Sequence, residues 1–158
     1  MDPMLQGFEN RFVALNQRSV ELLGLIDESD LFLKPRKLDR TMVMFSCGEY
    51  ILRSAAAVEQ TSGGITTRLW DDPFEWTLPE ELSTRDKVLN YLGEVETSRR
   101  SAFQFLKSDD DLNKEIPAPS ALRPIFDLLL ETLCRGEHFQ GRAFAVFQMH
   151  SDRKLPRW

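Results

Sequence analysis

The chain is poor in the residues that most often carry chemistry. It has two histidines, His138 and His150, in 158 residues. A catalytic metal centre built on three imidazoles from one chain is therefore excluded. It has two cysteines, Cys47 and Cys134, which fall in different predicted helices. Isolated thiols in a chain with no export signal read as buried thiols, not as a disulfide. No basic run of nucleic-acid-binding type is present and the formal net charge is -5, so neither nucleic acid nor an anionic membrane is an expected partner. No apolar stretch reaches the roughly 18 to 20 residues needed to span a bilayer. The first residues, Met1-Asp2-Pro3-Met4, lack a basic region followed by an apolar core, so no signal peptide is expected and a cytoplasmic location is the default. There is no glycine-rich phosphate loop, no internal repeat, no low-complexity tract and no clear β-strand. No Ser/His/Asp set has supporting sequence context.

What the chain does have is a set of long apolar periods. Hydrophobic residues make up 42% and charged residues 28%, as in an ordinary soluble globular protein. The length fits one domain, 1–158, with a real core. The first predicted helix runs from about Met4 to Ile26: Phe8, Phe12, Leu15, Leu22 and Ile26 recur at three- and four-residue steps, with Ser19 in the gap. A second spans about Thr41 to Gln60 and carries Met42, Phe45, Ile51, Leu52 and Val58. Its small residues, Ser54 to Ala57 among them, allow close approach of another helix. Gly63-Gly64 reads as its stop. A third begins near Ser83, with Asp86 three residues on in a capping-box pattern, and repeats Val88, Leu92, Val95, Ala102 and Leu106. The run Ser108 to Asp111 ends it and reads as a solvated turn, since it lacks the glycine and spaced ligands of a calcium loop. The fourth and most apolar helix starts near Pro124 and continues to about Met149. The expected architecture is an all-α four-helix bundle with longer connectors after the first three helices. In the connector before the third helix, Trp70, Phe74 and Trp76 stand without helical period. They cap one end of the bundle, line a pocket or meet a partner subunit.

Helix two opens with Ser46-Cys47-Gly48-Glu49, and a Pro-containing connector leads into a last helix with the pair Gly141-Arg142. In these features the chain resembles the DinB-like (YfiT-like) metalloenzyme superfamily, over roughly Phe8 to Trp158. In that family the last helix reads His-x-x-x-His-Arg-Gly-Gln, followed by an apolar run and a Pro-containing tail. The matching stretch here is Arg135 to Arg142, then Ala143 to Met149, then a tail with Pro156, and Gly141 matches the family glycine. The family's third histidine lies about seven residues after the Ser-x-Gly-Glu-like start, and from Ser46 that count lands on Arg53. The resemblance implies an up-down-down-up bundle, often a homodimer, in a bacterial protein. Members that keep the histidines bind a divalent metal such as zinc or nickel, and some are thiol-dependent transferases or isomerases.

The residues at the three ligand positions do not suit a cation. A guanidinium has no lone pair to give and stays protonated, and Phe139 offers no donor. The inherited metal site is therefore expected to be lost at Arg53, Arg135 and Phe139, and no cofactor is expected. A displaced site is the alternative. Cys134 and His138 share a helix face at four-residue spacing, and Glu49 would supply a third ligand for a divalent metal such as zinc. Against it, Phe139 is in phase with Leu128, Thr132 and Val146, so His138 points away from the inner stripe. His150, at the end of the helix, is placed near solvent. Glu49 stands four residues before Arg53, and Glu131 four before Arg135. These four residues read as helix-surface ion pairs, as an internal cluster filling the former metal cavity, or, for the two arginines, as an anion-binding pair. Two functional classes follow. One is a binding or interaction module without metal chemistry. The other is a metal- and thiol-dependent, transferase-like enzyme around Cys134 and His138.

Overall fold

A computed structural model of the chain describes residues 2–35, 44–76 and 83–157, without the side chain of Trp76. In chain order the helices are α1 (Pro3–Leu25), the single turn α2 (Glu28–Leu31), α3 (Cys47–Thr67), the single turn α4 (Pro73–Trp76), α5 (Arg85–Phe105) and α6 (Ile125–His150). Side-chain pairs give the helix directions. Phe8 meets Phe126 edge-on at 5.6 Å and Arg18 reaches Glu137, so α1 and α6 run parallel. Tyr50 meets Phe139, Ser54 meets Gly136 and Thr61 meets Thr132, so α3 runs against α6. Arg85 at the start of α5 donates to the Ile26 carbonyl and Arg99 near its end reaches Glu9, so α5 runs against α1. The bundle is up-down-down-up. Helix α3 packs most extensively on α6 and α5, while α1 completes the square against α5 and α6. Leu22, Ile51, Ile65, Val88, Val146 and Phe147 are fully enclosed. Among the described residues no helix is long and apolar enough to cross a membrane.

The first helix follows its expected stripe, but its start is held from elsewhere in the chain. The Asp109 carboxylate accepts from the backbone of Met4 at 3.1 Å and of Leu5 at 2.9 Å. The Asp2 carboxylate accepts in return from the Asp109 backbone at 3.0 Å. Two orphan donors of α1 are thus satisfied from 104 and 105 residues away. The acidic run after α5 is therefore no solvated turn. It forms a 3-10 helix, Asp109–Asn113, organised by Asp111, which accepts from the backbone of Lys107 at 2.6 Å and Ser108 at 3.2 Å and pairs with Lys114 at 2.5 Å. Lys114 and these backbone donors hold the Asp111 carboxyl down to about 2.

Other boundaries also differ from the sequence expectation. Helix α3 begins at Cys47, after a capping box. The Ser46 hydroxyl accepts from the Glu49 backbone, and the Glu49 carboxylate accepts from the Ser46 backbone at 2.8 Å. Thr41 and Met42, expected in this helix, lie outside the described residues. Gly63-Gly64 does not stop the helix, which continues to Thr67 and ends at Arg68 in the left-handed region with φ 65°. Gly64 is a packing residue: a Cβ there would lie 2.4 Å from the Trp70 indole. The Trp70 Nε1 donates to the Pro117 carbonyl at 2.9 Å. Trp70 is thus half-buried against the end of α3, while the side chain of Trp76 lies outside the described residues. Helix α5 is capped by Thr84, one residue later than expected, and no capping box closes there. A small antiparallel hairpin, β1 (Glu115–Pro117) with β2 (Leu122–Pro124), precedes α6 where no strand was expected. With three residues per strand it is too short for a visible period of two. Both cysteines are free, but only Cys47 is buried, and burial pushes its thiol up to about 12. Cys134 is exposed, because its position on α6 faces away from the bundle.

Candidate functional site

Two of the three positions singled out from the sequence come together in one cluster, where the first turns of α3 face the second half of α6. Tyr50 and Arg53 stand three residues apart on α3 and so share a face. Tyr50 is 1% exposed and forms the hinge of the cluster. The ring of Phe139, half-buried, stacks on it with centroids 6.5 Å apart and planes at 28°. Phe45, just before α3, meets Tyr50 edge-on at 5.5 Å. The Arg53 guanidinium carbon then lies 3.9 Å from the Phe45 centroid and 4.5 Å from that of Phe74 on α4. Arg53 makes no hydrogen bond or ion pair among the described residues, and its Nε is buried without an acceptor. On the other side of Tyr50, Arg142 sits with its guanidinium carbon 5.9 Å from the ring and donates to the phenol oxygen at 3.3 Å. Its Nε donates to His138 Nε2 at 3.1 Å, and the His138 ring lies edge-on to Phe139. Ring faces attract these cations through their quadrupoles, worth about 0.5–2 kcal/mol per contact depending on burial.

The remaining candidates lie elsewhere or are otherwise engaged. Arg135 is exposed and lines a separate cavity of about 180 Å³ with Gln60, Trp70, Arg123 and Glu131. Glu131 pairs there with Arg123 at 2.5 Å. Glu49 serves the Ser46 cap and approaches Lys34 at 3.8 Å. Cys134 and His138 are both exposed. His150 is partly covered, with its Nε2 buried and lacking an acceptor or donor partner. Among the described residues no group of three or more His, Cys, Asp or Glu side chains is placed to hold a metal ion. At the family's ligand positions the donor set does not fit a divalent cation: two guanidinium groups carry positive charge and the third side chain is a hydrocarbon ring. A larger cleft, about 490 Å³, opens between α3, α5 and the connector, with Glu59, Asp71 and Asp72 on its wall. Glu59 is engaged by the Tyr91 hydroxyl at 2.6 Å, which, with burial as the larger effect, raises the tyrosine pKa.

Beneath the aromatic cluster lies a polar layer that composition alone does not reveal. Gln140, wholly enclosed, accepts from Arg18 Nε at 2.7 Å and donates to the Leu15 carbonyl at 2.7 Å and the Ser19 hydroxyl at 2.8 Å. Arg18 also bonds Glu137 at 2.6 Å. Gly136, one turn away, admits Leu15, whose Cδ2 would be 2.7 Å from an added Cβ, and its carbonyl accepts from Ser54. A second charged group is sunk between α1 and α5. Arg99, 3% exposed, forks onto Glu96 at 2.9 and 2.8 Å and reaches Glu9 at 3.1 Å. Burial raises the pKa of Glu96, but the two arginines beside it outweigh this and hold it low. The sequence signal available for both layers was a polar residue in phase with an apolar stripe, as at Ser19.

The bundle's shape has solved counterparts. A DinB-like protein from Bacillus subtilis, YjoA, superposes with a TM-score of 0.72 at 17% identity over 96% of this chain and 96% of its own. A DinB-like protein from Bacillus cereus superposes with a TM-score of 0.71 at 14% identity, over 97% of this chain and 96% of its own. The fold is that of the DinB-like proteins. No family model matches the sequence, and no curated protein matches it. At this identity the DinB-like likeness speaks for the path of the chain and for no activity.

Proposed function

We propose that this protein is a degenerate DinB-like family member without metal chemistry, acting as a binding or interaction module. The observation that carries the reading is the packing at two of the inherited ligand positions. Arg53 is held between Phe45 and Phe74, and Phe139 lies on Tyr50, so side chains without a lone pair are built into an aromatic cluster. Metal analysis of protein purified without a tag tests it. The expected result is well under one equivalent of zinc or nickel, and near-stoichiometric metal sinks the reading. A homodimer in the bacterial cytoplasm belongs to the same reading, and sedimentation over a range of concentrations tests the dimer.

The competing reading is a thiol-dependent, transferase-like enzyme with a displaced metal site at Cys134, His138 and Glu49. Less supports it, because Glu49 is engaged as a helix cap and His138 Nε2 by Arg142. It requires that His138→Ala lower metal content or activity.

A further inference from the structure

The Arg53 guanidinium is a cation with its faces covered and its donors unused. Phe45 and Phe74 take up the space over the planar group, at 3.9 and 4.5 Å from its central carbon. Nε is turned into the cluster, and the terminal nitrogens have no protein acceptor among the described residues. The nearest acid in sequence, Glu49, is committed to the Ser46 cap and faces Lys34. The next cation in the cluster, Arg142, is partnered by a hydroxyl and a ring nitrogen and by no carboxylate among the described residues. Two positive charges thus border one aromatic patch with no ion pair to offset them.

We propose that Arg53 is the receiving group for the carboxylate of a small apolar or aromatic acid. This rests on the reading of the protein as a metal-free binding module and names the ligand class. The shape of the site selects the acid. With rings above and below, an anion reaches the guanidinium only in its own plane, through the outer pair of terminal N–H groups. A carboxylate is planar and accepts two parallel N–H bonds in that geometry. A tetrahedral phosphate brings further oxygens out of the plane and against the rings, where they would lose hydration without a donor. Tyr50 and Phe139 continue the patch, so the body of the acid meets apolar surface.

The test is a titration of the full chain with sodium benzoate at constant ionic strength, followed by calorimetry and by the arginine side-chain NMR signals, with inorganic phosphate run in parallel. The expected result is saturable benzoate binding that shifts the Arg53 side-chain resonance, with phosphate at least tenfold weaker. Arg53→Met should weaken benzoate at least tenfold. Arg53→Lys, which keeps the charge but not the fork, should also weaken it and guards against a folding defect in the first variant. Arg100→Met, at an exposed ion pair with Glu96, should leave binding unchanged. Absence of saturable binding, equal affinity for phosphate, or undiminished binding by Arg53→Lys overturns the proposal. The two readings fail separately: bound metal removes the first, and an Arg53 signal indifferent to benzoate removes the second.

Discussion

Arg18 and Gln140 meet across the α1–α6 interface, the Arg18 Nε donating to the Gln140 side-chain oxygen at 2.7 Å with both residues buried. Three hydrogen bonds converge on this one amide, from Arg18 and to Leu15 and Ser19. Removing the amide leaves a buried guanidinium edge and a buried carbonyl without partners, at about 1–3 kcal/mol for each group. Gln140→Ala is therefore expected to cost about 3–5 kcal/mol, measured as a lower urea midpoint. Gln140→Leu keeps most of the volume and separates packing from hydrogen bonding. It should recover only part of the loss, and a leucine variant as stable as the parent would show that the polar layer contributes nothing net.

That layer also marks where sequence reasoning stops. The stripe Phe12, Leu15, Leu22 on α1 was legible because helical period and burial are both local patterns. The Ser46-Glu49 cap was legible for the same reason. Arg18, Arg99 and Gln140 were not, because their burial depends on partners up to 122 residues away and charged residues are ordinarily on the surface. Gly63-Gly64 has the local form of a helix stop, yet Trp70 needs the missing side chain at Gly64 and overrides it. At the candidate site the spacing from Ser46 picked out Arg53, and the inner phase of α6 picked out Phe139. Their company could not be read: Phe45 and Phe74 lie outside the long helices, where no period relates them to Arg53.

The Gly64–Trp70 contact makes a coupled prediction. Gly64→Ala adds a methyl within 2.4 Å of the indole, so the ring must move or the helix must bend. Overpacking of this kind costs about 1–3 kcal/mol, against a gain of up to about 1 kcal/mol from helix propensity. The single variant should be destabilised in urea. In a Trp70→Ala background the clash is gone and the same substitution should become neutral or stabilising. Additive effects in the double-mutant cycle would mean the two residues do not meet as described.

The Asp111 carboxyl gives a pH signature. Its value falls from 3.8 when unperturbed to about 2 in the fold, so the folded state holds the proton less tightly. Its contribution to stability is present above about pH 4 and is lost as the pH falls through about 2. Asp111 organises the turn that presents Asp109 to the start of α1, so acid should loosen both together. Urea midpoints of the parent should drop between pH 4 and pH 2, and the difference between the parent and Asp111→Asn should narrow over the same range. A difference of equal size at pH 6 and pH 2.5 would show that the charge on Asp111 is not what stabilises the turn.

The two cysteines should separate cleanly in a thiol assay. The thiolate is the reactive form, so access and pKa together set the rate. Cys134 is exposed on α6, whereas Cys47 is enclosed at the start of α3 with its thiol pushed up to about 12 by burial. A disulfide reagent at pH 8 should therefore modify one thiol quickly in the native protein and the second only as the bundle unfolds. Cys134→Ser should remove the fast phase and leave the slow one. Because Cys47 sits in the first turn of α3, its rate measures how often the capped end that carries Tyr50 and Arg53 opens. Urea below the midpoint should accelerate it if that end frays alone, and leave it tied to global unfolding if the aromatic cluster locks it. Fast labelling of Cys47 in the native protein would place the start of α3, and the cluster built on it, outside the stable core.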